Sequence, residues 1–151
     1  MHARELATEY PTVTLDSDAL EAARMLAVQR LPGVLVVDAD GGPYAVLPAS
    51  RLVKLLVPAY VIEDPALAAV IDEQRADRLC QALSGRTVAE SLPRERTKPP
   101  VADADDTALE VAALMARERS PLVAVVDRRD GDRLLGVITA SHPLDRLLEV
   151  T

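Results

Sequence analysis

The sequence predicts an α/β (α+β) fold in which two copies of a β-α-β-β-α unit are joined by a helical connector. Three observations carry that expectation. Residues 19–38 (ALEAARMLAVQRLPGVLVVD) and 108–127 (ALEVAALMARERSPLVAVVD) are identical at 11 of 20 positions with a constant offset of 89. Chance gives roughly two or three identities in a sequence this rich in Ala and Val. After two extra residues in the second copy, VLPAS at 46–50 realigns with VITAS at 137–141. Within each copy the apolar spacing changes from helical to strand-like at equivalent places.

The elements follow in order. Thr12–Leu15 and Pro100–Ala102 are short extended lead-ins. Asp16 and Asp105 precede segments in which Ala19, Ala22, Ala23 and Leu26, or Ala108, Val111, Ala112 and Met115, recur at helical spacing. Acidic residues there suit a helix N-terminus, both as caps and against the helix dipole. Pro32 and Pro121 stop these helices. Val34–Val37 and Leu122–Val126 are nearly continuous β-branched runs, the pattern of strands covered on both faces. Asp40-Gly41-Gly42 and Asp130-Gly131 supply hairpin turns, which lead into strands at Tyr44–Leu47 and Leu134–Ile138. Ser50 and Ser141 open a last helix in each copy, with Leu52, Val53, Leu55 and Leu56, or Leu144, Leu147 and Leu148, on its apolar face. The crossover in each β-α-β portion is expected to be right-handed. One copy is too small to bury its sheet alone, so the two should pack together.

These signals divide the chain into a first repeat at 1–58, a helical connector at 59–86 and a second repeat at 87–151. In the connector, Pro65 can start a helix, and Leu67, Val70, Ile71, Leu79, Ala82 and Leu83 give it an intermittent apolar face up to Ser84-Gly85. Thr87–Leu92 reads as a further helical turn. The connector is either a spacer packed on the core or a helix that docks a partner.

Composition excludes several functions. The net charge is −7 and no part of the chain is basic, which disfavours binding to a phosphate backbone. The one basic cluster, Arg94, Arg96 and Lys98, lies in a Pro-rich stretch and reads as a solvated connector. There is no Trp or Phe and only three Tyr, so bases cannot be gripped by an aromatic platform. The first residues lack a signal-peptide apolar run, and no run is long enough to span a bilayer. Cys80 is alone, so no disulfide framework exists and a cytoplasmic setting is expected. None of the six glycines falls in phosphate-loop spacing. His2, His142 and Cys80 do not make a metal set. Ser141 beside His142 is no nucleophile–base pair, because adjacent helical residues point apart. The chain is expected not to be an enzyme.

The order Asp-x-x-Ala-Leu-Glu-x-Ala, then Arg-x-Pro-x-Val-x-Val-Val-Asp, then Gly-Val-Ile-Thr resembles a CBS domain. Two in tandem resemble a CBS-domain pair, or Bateman module. The resemblance covers roughly 10–57 and 87–149. Leu134-Leu135-Gly136-Val137-Ile138-Thr139 is close to the family pattern, and Tyr44-Ala45-Val46-Leu47-Pro48 is a worn version of it. The resemblance implies two repeats about a pseudo-twofold axis, two equivalent clefts between them, and dimerisation into a disc. It also implies AMP, ATP or S-adenosylmethionine as a regulatory ligand, not a resident cofactor, with an enzyme or transporter as the regulated partner.

The family's Gly-x-x-Thr-x-x-Asp stretch meets phosphate through the Thr hydroxyl and a helix N-terminus, and ribose through the Asp. Here the second copy keeps Gly136 and Thr139 but has His142 in place of the Asp, while the first has Ala45, Pro48 and Arg51. Losing that carboxylate removes contacts worth about 1.5–3 kcal/mol per hydrogen bond. Arg51 and His142 could instead favour an anionic ligand; both can equally be surface residues, and Pro143 gives His142 the chemistry of a helix start. The resemblance further implies that Pro32 and Val34, Ser120, Pro121 and Val123, and Val137 line the clefts, although Val34 and Val123 also suit plain core packing. The expected function is a regulatory module that senses an adenosine nucleotide or another small anion and modulates a partner protein. The alternative is a structural dimerisation or adaptor module with no ligand. The second copy keeps more of the motif, so the two clefts are expected to be unequal, one working and one structural, with the assignment between them left open.

Overall fold

The computed structural model describes residues 1–57, 63–70, 83–94 and 98–149. The first repeat contains β1 (Thr12–Thr14), α2 (Ala19–Gln29), β2 (Gly33–Val37), β3 (Pro43–Pro48) and α3 (Ala49–Leu56), preceded by one helical turn, α1 (Ala3–Leu6). The second contains α4 (Val88–Ser91), β4 (Val101–Asp103), α5 (Ala108–Glu118), β5 (Leu122–Asp127), β6 (Arg133–Thr139) and α6 (Ser141–Glu149). Each repeat forms a three-stranded sheet, β1-β2-β3 or β4-β5-β6, with a parallel first pair and an antiparallel second. The expected fold is the observed one.

The apolar runs are explained by what covers each face. Val34 and Val36 pack into a core with Ala19, Ala22 and Leu26 of α2 and Leu52 of α3. Val123 and Val125 pack with Val111 and Met115 of α5. The alternate residues, Leu35 on one sheet and Leu122 and Ala124 on the other, share a third cluster with Val137. Side chains in a strand alternate between faces, so β2 and β5 have helices on one side and the partner sheet on the other. At about 0.8 kcal/mol per buried methylene, burial on both faces is what holds the two small repeats together.

The helix ends differ in detail from expectation. The caps are Asp18, which accepts from the Leu20 amide at 2.8 Å, and Thr107, which accepts from the Glu110 amide at 3.2 Å. Asp16 and Asp105 are not caps; Asp105 instead pairs with Arg4 at 2.6 Å. Neither helix runs on to its proline. Each ends at an arginine in the left-handed region, Arg30 (φ 54) and Arg119 (φ 52), because the residue before a proline is held extended. Leu31 then donates back to the Leu26 carbonyl. Gly41 (φ 82) and Gly131 (φ 61) supply the positive φ of the two hairpins.

One feature gave no periodic signal. The two repeats exchange their first helical turns. In α1, Ala3 donates to the Asp106 carbonyl and Arg4 to the Ala104 carbonyl, while Ala108 donates to the Met1 carbonyl. The same three bonds recur with the roles reversed, from Val88 to Ser17, from Ala89 to Leu15 and from Ala19 to Arg86. Ala3 and Leu6 therefore belong to the second core, and Leu83 and Val88 to the first. Within the connector, Pro65–Val70 is a 3-10 helix. Cys80, Arg96 and most of the expected connector helix lie outside the described residues.

Candidate functional site

The chain carries a cleft of about 460 Å³ between the repeats. One wall is Ala45, Val46 and Pro48 at the end of β3, continuing into Ser50, Arg51 and Lys54 of α3. The other is built from the opposite repeat: Leu92, Pro93, Lys98 and Pro100, with Glu118–Pro121 between α5 and β5. Each wall is placed by local rules. The β2–β3 register sets Pro48 opposite Gly33. The Ala49 amide donates to the Pro32 carbonyl at 3.0 Å, which starts α3 at the cleft. The left-handed Arg119 turns the chain sharply, so that Ser120 and Pro121 face inward.

The site is electrostatically distinctive. In a chain of net charge −7, Arg51, Lys54, Lys98 and Arg119 converge on it against one acid, Glu118. Pro48 gives α3 no side-chain cap; the Ala49 amide is taken by the Pro32 carbonyl, and the positive end of the helix still attracts anions. Arg51 is steadied by its Nε, which donates to the Ser91 carbonyl at 3.2 Å; the rest of its guanidinium keeps its donors. Ser120 donates its hydroxyl to the Leu122 carbonyl at 2.7 Å. Lys98, expected as part of a solvated connector, is exposed but stands at the cleft.

The structure brings together Arg51, Ser120 and Pro121. Val34 and Val123 are fully buried in the helix-side cores, so their side chains offer a ligand nothing. Pro32 is exposed and contributes its carbonyl to Ala49. Val137 is buried between the sheets. Thr139 Oγ1 lies 3.3 Å from Ser141 Oγ. His142 sits in the first turn of α6, its Nδ1 buried and without a hydrogen-bond partner among the described residues.

The motif-bearing second repeat has a different geometry from the one its sequence implies. Thr8 lies along β6 and exchanges both backbone hydrogen bonds with Val137, each 3.0 Å. A Cβ on Gly136 would come within 2.6 Å of the Thr8 carbonyl oxygen. Gly136 is thus required by a close backbone approach. Tyr10 follows, its hydroxyl donating to the Gly33 carbonyl at 2.5 Å and its ring packed on the cluster between the sheets. Burial pushes its phenol above the ordinary range. The sequence signal for this covering segment was the pair Gly136 and Tyr10, legible only once Thr8 is placed.

A wider concavity of about 830 Å³ lies between the hairpin turns, where Asp38, Asp40 and Asp132 face Arg128 and Arg133. Arg133 is already paired with Asp130 at 2.9 Å. Among the described residues, no three of His, Cys, Asp and Glu are grouped to hold a metal ion, and no helix is long and apolar enough to cross a membrane.

Two sheets meeting across a pseudo-twofold, with a cleft built from the end of β3 and the lead-in of the other repeat, define a tandem α/β repeat architecture. The CBS-domain family profile matches residues 3–58 and 89–149, and the chain belongs to that family. It is similar to a CBS domain-containing protein of unknown function from Kribbella flavida at 51% identity, covering 98% of this chain and 99% of that one, with a TM-score of 0.86. At 17% identity and a TM-score of 0.68 it shares its fold with CBSX2, solved in complex with AMP, over 99% and 97% of the two chains. At 21% identity and a TM-score of 0.68 it shares it with the CBS domain of a membrane protein from Sphaerobacter thermophilus, over 96% and 86%. No curated protein matches the chain.

Proposed function

We propose that the protein is a regulatory ligand-sensing module, not an enzyme. It binds an adenosine nucleotide or another small anionic ligand in the cleft at Arg51, Ser120 and Pro121, and passes that occupancy to a separate partner protein. The observation that carries this reading is the convergence of four cationic side chains on one cleft of an acidic chain. An adaptor with empty clefts gives no reason for that convergence. The AMP complex of CBSX2 supports an adenosine ligand, while the absence of a ribose-facing carboxylate at position 51 favours recognition through phosphate. Because the cleft has walls from both repeats, a bound anion changes how they sit against each other, and that change is what a partner can read.

A homodimer in the cytoplasm completes the proposal. Val53 of α3 and Leu144 of α6, at corresponding places in the two repeats, are more than half exposed, as is Leu148 of α6. Light scattering at micromolar concentration should give twice the chain mass. The ligand reading is tested by calorimetric titration with AMP, ATP, S-adenosylmethionine and pyrophosphate. Saturable heat with at least one phosphorylated compound is expected; no heat with any of the four overturns it.

A further inference from the structure

We propose that residues 7–10 are an intramolecular strap that closes the second inter-repeat cleft, so that one chain takes a ligand at the first cleft alone until the strap is released. The pseudo-twofold relates the Ala45–Val46 wall of the open cleft to Gly136–Val137. On the second side that wall is covered: Thr8 pairs with Val137 through both backbone bonds, and Tyr10 anchors the segment on the Gly33 carbonyl. Pro32 and Ala49 are a bonded pair of the antiparallel register, so the next pair, Gly33 and Pro48, is not; the Gly33 carbonyl faces the β1 edge, where the Tyr10 hydroxyl meets it.

Two sequence differences explain why only one cleft is strapped. The exchanged helical turns superimpose His2 on Thr87 and therefore Thr8 on Pro93. Pro93 has no N–H and cannot make the donated half of such a pair; it lines the open cleft instead. Gly136 corresponds to Ala45, whose Cβ would obstruct an equally close backbone, given the 2.6 Å approach at Gly136. The Gly136–Val137 end of the better preserved motif thus lies beneath the chain's own backbone.

The test uses the full chain and two variants. Thr8→Pro copies Pro93 into the strap, and Ala7 is already extended (ψ 132), as a residue before proline must be. Tyr10→Phe keeps the ring and removes only the anchoring hydroxyl. The first readout is exchange of the Val137 amide, whose N–H is held by Thr8 and by no strand. It should be protected in the parent and exchange at least tenfold faster in Thr8→Pro, with a smaller acceleration in Tyr10→Phe. The second is the stoichiometry of ATP in equilibrium dialysis, expected to rise from one per chain to two in Thr8→Pro. Unchanged Val137 exchange in both variants overturns the strap, as does a parent chain that binds two ATP. Faster exchange with one ATP throughout overturns its gating role. The stoichiometry rests on the ligand reading of the first cleft: no ATP bound by any protein overturns that reading, and the exchange rates then decide the strap alone.

Discussion

The Nε of Arg51 donates to the carbonyl of Ser91 at 3.2 Å, tying the last helix of the first repeat to the exchanged turn that leads into the second. Ser91 is fully buried, and its own hydroxyl donates to the Thr87 carbonyl. The turn is therefore a fixed support, and Arg51 enters the cleft already oriented. A ligand that engages the remaining guanidinium donors pulls on a residue tied to the segment that leads into the second repeat.

Arg51→Met separates these two duties. Losing one charge-assisted contact of about 1.5–3 kcal/mol should weaken binding of a phosphorylated ligand by tenfold or more in calorimetry. The lost bond to Ser91 should lower stability by only about 1 kcal/mol. Undiminished affinity would show that the cationic set does not contact the ligand.

The left-handed caps give a second prediction. A non-glycine residue in that region costs roughly 1–2 kcal/mol, and glycine is the usual occupant at a helix end. Arg30 (φ 54) should therefore be improved by Arg30→Gly, by roughly 0.5–1 kcal/mol after the added freedom of the unfolded chain is set against it. A rise of about 1–4 °C in Tm is expected. A fall in Tm would mean that the arginine side chain, not the backbone, holds the cap.

How far the sequence could be read follows from the same residues. The repeat, the strand order and the inner strands were legible because Val34–Val37 and Leu122–Val126 carry apolar residues on both faces, and a doubly covered strand leaves that trace in any sequence. The caps at Asp18 and Thr107 were missed for Asp16 and Asp105 because capping is decided by one turn of backbone, not by the nearest acid. The exchange of α1 and α4 was illegible: four-residue turns have no period, and their contacts lie in the other repeat. The relative openness of the clefts was not legible for a related reason. Gly136 and Thr139 fit a ligand motif, yet what sits over Gly136 is set by Thr8, far away in the chain. Arg51, read as the motif's departure, lines the open cleft.

Tyr10 makes the strap sensitive to alkaline pH. Burial raises its phenol above the ordinary value of about 10, so folding favours the neutral form that can donate to Gly33. The stabilisation is fully present below the unfolded value and is lost as pH rises through the higher folded one. The difference in stability between the parent and Tyr10→Phe, about 1 kcal/mol for one hydrogen bond, should be flat from pH 6 to about pH 9 and shrink above about pH 10. Denaturant unfolding at each pH measures it, and the difference in absorbance near 295 nm between the two proteins gives the ionisation. A stability difference that grows with pH contradicts the assigned bond.

The last prediction concerns Gly136 and its counterpart. A methyl group at 136 meets the Thr8 carbonyl oxygen at 2.6 Å and the Ala7 Cβ at 3.2 Å. The nearer contact is backbone, which no rotamer change relieves, so either the strap or β6 must shift. β6 is hydrogen-bonded to β5 along its length, whereas the strap is held by one backbone pair and the hydroxyls of Thr8 and Tyr10. The strap is the weaker party. Gly136→Ala should therefore cost about 1–3 kcal/mol, unprotect the Val137 amide and leave the exchange of Val123 and Val125 unchanged. Ala45→Gly, the reverse change in the first repeat, should cost about 0.5–1 kcal/mol through backbone freedom and leave Val137 as protected as in the parent. If Gly136→Ala keeps Val137 protected, the glycine is not there to admit Thr8.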